Sequence, residues 1–508
     1  MNKIYSSLIF LFSILVLATN VEAQITTSTL TGKVVSAKGE ALPGVTVLAV
    51  NTGTGTKYGG QTNAEGRFLI NNLNPGGPYT ITVTFIGFKK EERNDVNLSL
   101  GSVTFNFQLQ DESTALSEVV VKGNNTGKPG GFRVGQNALK TLPSLNRSFQ
   151  DFTRGTPQSN NNSFLGSNFR YNNVTLDGAI NNDAIGFSPS LGGQTNSSGQ
   201  PGSSTRTNPV SLDAVQDIQV YLAPYDVKIG NFLGSINAVT RSGTNEVHAS
   251  VYAFGRNASM IGKNNAGDGS KEPSSFHEYQ TGVRVGFPII KDKLFFFTNE
   301  EITRRQDPVI LAAGSSDMTL LTVDQAKQIA DHMSALDVDK TGKYNAGTYG
   351  NYNIYSNSTK FFNRLDWNIN DKHQLSIRNN TILSEATNLE RDQQNFRFSG
   401  IDYKQTNNQT STVAELKSHF NNTLSNSLIL GYSSIHDYRD PLSDPSLPQI
   451  QIASNGGTIF LGTDREAAIF NMKQKTFEFT DNVNIFKGRH NINIGTHNEF
   501  YNITYGFV

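Results

Sequence analysis

Cysteine is missing from all 508 residues, which excludes disulfides, thiolate nucleophiles and Cys-ligated zinc. That suits an exported or surface product held together by its sheets. Tryptophan occurs once. Neither sign of charge is in excess, with 43 Lys+Arg against 43 Asp+Glu, so nothing draws the protein electrostatically to nucleic acid or anionic lipid. Histidine is absent before His248. The eight that follow, His248, His277, His332, His373, His419, His436, His490 and His497, show no His-x-x-x-His spacing. The N-terminal half therefore cannot assemble an ordinary zinc site or a His-based triad. A secreted metallopeptidase fails on ligand supply, and no catalytic residue, metal or cofactor is expected. Long apolar runs are also lacking: the one from Ile4 to Ala18 falls short of the ~20 residues a spanning helix needs.

What is present favours strands and turns. There are 46 Gly, 32 Phe and 17 Tyr amid long Asn/Ser/Thr/Gly tracts, and the length allows about three domains. Lys3, the apolar run and a small-x-small-type site at Val21-Glu22-Ala23 mark residues 1–23 as a signal peptide. Any membrane insertion beyond it must be by strands. The expected fold class is all-β dominated: an N-terminal transthyretin-like β-sandwich, an α+β plug, then an incomplete antiparallel transmembrane β-barrel.

Between 24 and 112, apolar runs at Thr29 to Val35, Val45 to Val50, Arg67 to Ile70, Tyr79 to Phe85 and Val103 to Leu109 alternate with turn clusters, as in a small sandwich. Gly53 to Gly60 is expected to be a hairpin loop, lacking the strand, Lys-Ser/Thr and helix of a P-loop. The stretches Thr31 to Val35, Ala41-Leu42-Pro43-Gly44-Val45-Thr46-Val47 and Thr62-Asn63-Ala64-Glu65-Gly66-Arg67-Phe68 resemble the carboxypeptidase-regulatory-like domain. Despite its name, that domain is an accessory sandwich, so the resemblance implies no peptidase.

Residues 113–131 hold Leu116-Ser117-Glu118-Val119-Val120-Val121-Lys122-Gly123 and a loose linker. The bland reading is a last sandwich strand. The stretch also resembles the TonB box of SusC-type receptors, in which Glu118, Val119, Val120 and Val121 would add an extended strand to a sheet edge of TonB.

From 132 to 245, Asn173-Val174-Thr175-Leu176-Asp177-Gly178 resembles a strand and turn of the plug in TonB-dependent receptors. So does the run from Ser211 through Gly234-Ser235-Ile236-Asn237-Ala238-Val239-Thr240-Arg241-Ser242-Gly243. With Thr244 to His248 it is most similar to the Oar-like subgroup. Asp177, Gly178, Gly234, Asn237, Thr240 and Gly243 carry this motif. Leu222-Ala223-Pro224-Tyr225 departs from it, having Ala where most receptors have Gly. The glycines, Gly230 included, read as turn-formers rather than phosphate binders.

From 246 to 508 the period becomes two. Tyr279, Thr281, Val283, Val285 and Phe287 oppose Gln280, Gly282, Arg284 and Gly286; Phe361, Leu365, Trp367 and Ile369 oppose Arg364, Asp366 and Asn368. Leu375 and Ile377 likewise oppose Gln374, Ser376 and Arg378, and Ile492 and Ile494 oppose Asn491, Asn493 and His497. Short turns are expected at Lys291-Asp292-Lys293, Asn370-Asp371-Lys372, Leu424-Ser425-Asn426 and Lys487-Gly488-Arg489, and long polar stretches from about Arg304 to Ser358 and Asp437 to Lys473. Short turns on one rim and long loops on the other describe an outer-membrane barrel. Val323 to Met333 has helical spacing, expected to pack on an outer loop. About nine or ten strands are countable against the ~22 of plugged transporters, so the barrel reads as truncated.

The resemblance implies uptake of a ligand, whether siderophore, oligosaccharide or peptide, by energy-coupled plug displacement at the bacterial outer membrane. The sandwich and plug would lie on the periplasmic side. Expected partners are TonB with its inner-membrane energising complex, outer-membrane lipid and a surface lipoprotein, with no nucleic acid. The rival reading is a surface glycan-binding or adhesion protein anchored by its barrel.

Overall fold

A computed structural model describes residues 27–112, 131–144, 147–160, 163–166, 173–181, 204–222, 234–263, 274–336 and 344–506. The first eight strands are β1 (Ser28–Ser36), β2 (Thr46–Asn51), β3 (Lys57–Gln61), β4 (Arg67–Leu73), β5 (Gly76–Thr84), β6 (Glu91–Leu98), β7 (Gly101–Thr104) and β8 (Phe107–Leu109). They make two facing sheets, one in the order β4-β1-β7 with β8 also on β1, the other in the order β3-β2-β5-β6. Period-two patterning puts Val47, Ala49, Tyr79, Ile81 and Val83 on one inner face, against Leu30, Val34, Phe68, Ile70 and Phe107 on the other.

Two strands escape the sequence reading. Gly53 to Gly60 is not one loop, because Tyr58 turns inward, its ring 6.2 Å from that of Tyr79, and draws Lys57–Gln61 into the sheet. Strand β6 is too charged to show an apolar period; it lies on a sheet edge, where charge blocks unwanted pairing. The expected Val103 to Leu109 strand divides at Phe105-Asn106, with each half pairing a different end of β1.

Next come β9 (Gly131–Val134), α1 (Gln136–Thr141), α2 (Phe149–Thr153), β10 (Ser159–Asn160), β11 (Ser163–Phe164), β12 (Asn173–Leu176), β13 (Ala179–Ile180), β14 (Val215–Leu222) and β15 (Gly234–Thr240). Ser148 and Asp151 form a reciprocal capping box that starts α2. A five-stranded mixed sheet runs β13-β12-β15-β14-β9 and packs Ile218, Val220, Ile236 and Ala238 against Phe149, Phe152 and Phe164.

The remainder is β16 (His248–Asn257), α3 (Ala258–Ile261), β17 (His277–Ile290), β18 (Leu294–Val309), α4 (Val323–Ala335), β19 (Tyr352–Asn370), β20 (His373–Thr387), β21 (Asn395–Arg397), β22 (Tyr403–Asn421), β23 (Leu424–Pro441), β24 (Gln449–Ser454), β25 (Gly457–Gly462), β26 (Asn471–Lys487) and β27 (His490–Gly506). Nine of these form one antiparallel sheet in the order β16-β17-β18-β19-β20-β22-β23-β26-β27, open at both ends among the described residues. Its convex face carries exposed Val251, Val283, Ile302, Ile377, Leu383, Leu430, Phe477 and Ile494. Its concave face buries Asn299, Glu301, Lys360, Arg364, Arg378, Gln405, Asn407, Glu415 and Glu478. Apolar outside and polar inside is the pattern of a lipid-embedded barrel wall.

The third turn falls at Asn422-Thr423, two residues before the expected place, because the Asn421 side chain accepts from the Thr423 N–H at 2.9 Å and its hydroxyl at 2.7 Å. Strands also run further into the long polar stretches than expected. The 19 residues of β19 span about 60 Å at ~3.3 Å each, well beyond the bilayer core, so the upper part has water on both faces and shows no apolar period. Above the wall, α4, capped by Thr322 and Gln325, packs Ala326 and Met333 on the small sheet β21-β25-β24.

Candidate functional site

Five of the six motif residues read from the sequence, Asp177, Gly178, Asn237, Thr240 and Gly243, gather where the five-stranded sheet touches the wall, while Gly234 stands at the opposite end of β15. Asp177 and Gly178 join β12 to β13 with φ of +46° and +78°, a two-residue hairpin turn of the kind Asp-Gly favours. Asp177 is buried and accepts from the Thr240 N–H at 2.7 Å and the Thr240 hydroxyl at 2.5 Å. Asn237 accepts from the Thr175 hydroxyl at 2.9 Å and the Gly178 N–H at 3.4 Å, tying β15 to the same turn. Gly234 and Gly243 are there for space. A Cβ at Gly234 would lie 2.8 Å from the Phe164 ring, and one at Gly243 2.5 Å from the Phe296 carbonyl oxygen.

Two arginines of the wall complete the cluster. Arg378 Nη1 lies 3.2 Å and Arg364 Nη1 3.6 Å from Asp177 Oδ2. Arg364 also donates to the Thr240 hydroxyl at 2.9 Å, and Arg378 donates to the Leu176 carbonyl. Asp366 binds Arg364 at 2.9 Å and accepts from the Ser242 hydroxyl at 2.6 Å. Two cations and two anions therefore meet in a buried setting, with Glu415 and Glu478 of the wall also attracting Arg378, and Asp177 brings the charge of the inner sheet to them.

The arginines were read from the sequence only as polar-face residues, yet a signal was available. Placing the turn at Asp371 pairs Arg364 directly with Arg378 across β19 and β20, as observed. Like charges opposite one another are unfavourable unless something between them is negative.

Further up the wall the contacts continue. Glu301, paired across strands with Lys360 at 2.8 Å, accepts from the Ser211 hydroxyl at 2.8 Å. Glu478 accepts from the Ile180 N–H at 3.1 Å. The segment 204–209 climbs between β19 and β20: Thr205 meets Ser384 at 2.9 Å, Thr207 meets Ser358 at 3.0 Å, and the Pro209 carbonyl accepts from Asn380 at 2.9 Å. Arg206 reaches the Tyr355 carbonyl at 2.7 Å and the Asn388 side chain at 2.9 Å; burial brings its guanidinium down to about 10. Within the sheet, burial raises the Asp217 carboxyl, and Arg133, donating at 2.7 Å, pulls it back. Burial likewise lowers Arg241 to about 10, helped by its neighbour Arg284.

Glu118, Val119, Val120 and Val121 lie outside the described residues, as do Ala223 to Tyr225 and Gly230.

Comparison with known proteins adds three findings. The family described as carboxypeptidase regulatory-like domain matches residues 29–110, and the outer membrane beta barrel domain matches residues 239–325. The chain is 27% identical over 380 residues to the TonB-dependent transporter Oar of Myxococcus xanthus, an alignment covering 69% of this chain and 33% of that protein. It thus spans about a third of that curated relative's length. Among solved structures it is similar to the outer membrane transporter YddB from Escherichia coli (11% identity, TM-score 0.48, 71% of this chain and 46% of that one). It is also similar to the siderophore receptor PirA from Acinetobacter baumannii (16% identity, TM-score 0.45, 74% and 48%).

Proposed function

Starting from an outer-membrane β-barrel protein related to the TonB-dependent transporters, we propose that this chain is the plug-bearing part of a receptor that takes up a ligand by energy-coupled plug displacement. Residues 24–112 are the accessory sandwich, 113–131 the TonB-binding segment and linker, 132–245 the plug, and 246–508 the first part of the barrel. TonB, driven by its inner-membrane complex, pairs with Glu118, Val119, Val120 and Val121 and pulls. The ligand is a siderophore, an oligosaccharide or a peptide.

The observation that carries this reading is the Asp177 cluster. A folded sheet sits against the polar concave face of a barrel wall, held through a charge-balanced contact that can break and re-form as a unit. Polar contacts of this kind suit a part that must move, because separation exposes groups that water can satisfy.

The test uses the whole protein and needs no ligand. A proline at Val119 or Val120 removes a backbone donor from the added strand. With Val121→Cys as the sole cysteine, cross-linking to a cysteine in TonB is expected in the parent and lost in Val119→Pro and Val120→Pro, while the barrel stays folded in the membrane. Undiminished cross-linking in both proline variants would remove the assignment of this segment.

A further inference from the structure

We propose that the N-terminal sandwich is a movable cover docked on the short-turn rim of the barrel, closing the exit beneath the plug and leaving that rim during the energised cycle. The energised step rests on the TonB reading above; the docking does not.

Among the described residues, the sandwich meets the wall through β3 and β4, the edge strands of its two sheets, and the turns beside them. Asn63 donates to the Gly488 carbonyl at 2.7 Å, Asn72 to the Asn426 carbonyl at 2.9 Å, and Tyr58 to Gln374 at 3.1 Å. From the other side, Asn368 donates to the Thr56 hydroxyl at 2.9 Å and Lys417 to the Asn74 side chain at 2.8 Å. The plug end joins in, the Asn245 N–H donating to the Gly53 carbonyl at 2.8 Å. These contacts reach all four hairpins of the wall, since Gly55 also abuts Asp292 in the first turn. A domain tethered beside the barrel would have no reason to touch every hairpin; a cover does.

The contact is also built for release. It consists of isolated hydrogen bonds, with one small apolar pairing of Leu100 and Val239. The sandwich keeps its own core, which shares no residue with the core of the plug, so undocking leaves that core intact. Polar interfaces between units with separate cores favour relative motion. Between cover and plug lies a cavity of about 660 Å³ lined by Gly53, Pro75, Arg241, Ser242, Arg284 and Phe297. A solute passing the plug on this side would arrive there and find the sandwich across its path.

Because the chain has no cysteine, one engineered pair reports on the contact alone. A Cβ built at Gly53 lies 3.9 Å from the Thr244 Cβ, inside the range a disulfide spans. In cells making the whole protein, Gly53→Cys with Thr244→Cys is expected to cross-link on mild oxidation when a protonophore has collapsed the proton gradient. The single variant Thr244→Cys, probed with N-ethylmaleimide, should react several-fold faster in energised cells than in protonophore-treated ones. Adding Asn63→Ala and Asn368→Ala should make that reaction fast in both. Failure of the pair to cross-link overturns the docking, and a maleimide rate indifferent to the protonophore overturns the movement. If Val121→Cys still cross-links to TonB in those same cells, the uptake reading stands while the cover falls.

Discussion

Asp177→Asn tests the contact on which the transport reading depends. Asparagine keeps the shape and tolerates the left-handed turn at φ +46°, so the change removes the charge together with one acceptor oxygen, its amide NH2 being unable to accept from Thr240 or the arginines. The structure sets the consequence. Asp366 binds Arg364, Asp177 exerts the largest attraction on Arg378 ahead of Glu415 and Glu478, and both guanidiniums are buried beside each other. Removing one partner of a buried ion pair costs about 3–5 kcal/mol, because the other charge is left without compensation. With urea slopes of about 1–3 kcal/mol/M, the midpoint for plug release should fall by about 1–5 M. The readout is a single reporter, Ala238→Cys, which sits in the plug core and reacts with a thiol reagent only when the sheet opens. Asp177→Asn combined with Arg378→Gln removes both charges and should recover most of the loss. A midpoint unmoved by Asp177→Asn, or a double variant as weak as the sum of the singles, would refute the reasoning.

Other consequences follow from the same structure. Gly234→Ala forces a Cβ to 2.8 Å from the Phe164 ring and should cost about 1–3 kcal/mol in the same urea assay, with part regained by Phe164→Leu. In the outer loops, burial holds the Asp402 carboxyl up at about 6, against hydrogen bonds from the Tyr403 and Asn388 backbone N–H groups and the Tyr352 hydroxyl. Its folded value exceeds the ordinary one near ~3.9, so the folded loop binds the proton more tightly. Stability should therefore be greatest below about pH 4 and decline by about 3 kcal/mol as pH rises through 6. Limited proteolysis of residues 388–402 from pH 4 to 8 should show this, and Asp402→Asn should flatten it. On the convex face, Val283→Arg should destabilise the inserted wall by about 2–4 kcal/mol if it lies near the bilayer midplane, read as lost resistance to unfolding in lipid vesicles.

How much of this was legible varies with the distance over which each feature is decided. The alternation of Tyr279 to Phe287 and of Phe361 to Ile369 is local, since each residue's face follows from its neighbours, and the wall follows from it. The capped helix at Val323–Ala335 is equally local. Strand β6 was missed because charged and polar residues fill Glu91 to Asp95 and leave Val96 and Leu98 to carry its inner face, and β3 because two of its five residues are glycine. The Asp177 cluster lies between these cases. Its turn is local, its Thr240 partner is 63 residues away, and its arginines come from a different sheet. The hairpin around Asp371 nevertheless predicts the Arg364–Arg378 pairing, and with it the need for an intervening anion. What no hairpin arithmetic supplies is which anion arrives. That choice is made when the plug seats, and the close pairing at the site is therefore a property of the docked state. The wall without its plug would hold Arg378 beside Arg364 with only the weaker attraction of Glu415 and Glu478, and lumen water must take over the role of Asp177. A displaced plug thus leaves behind a hydrated wall whose acids and bases, Glu301, Asp366, Glu415 and Glu478 against Lys360, Arg364, Arg378 and Lys417, stay in balance, so Arg378→Gln should tip an opened barrel toward cations, a shift that conductance in planar bilayers can measure.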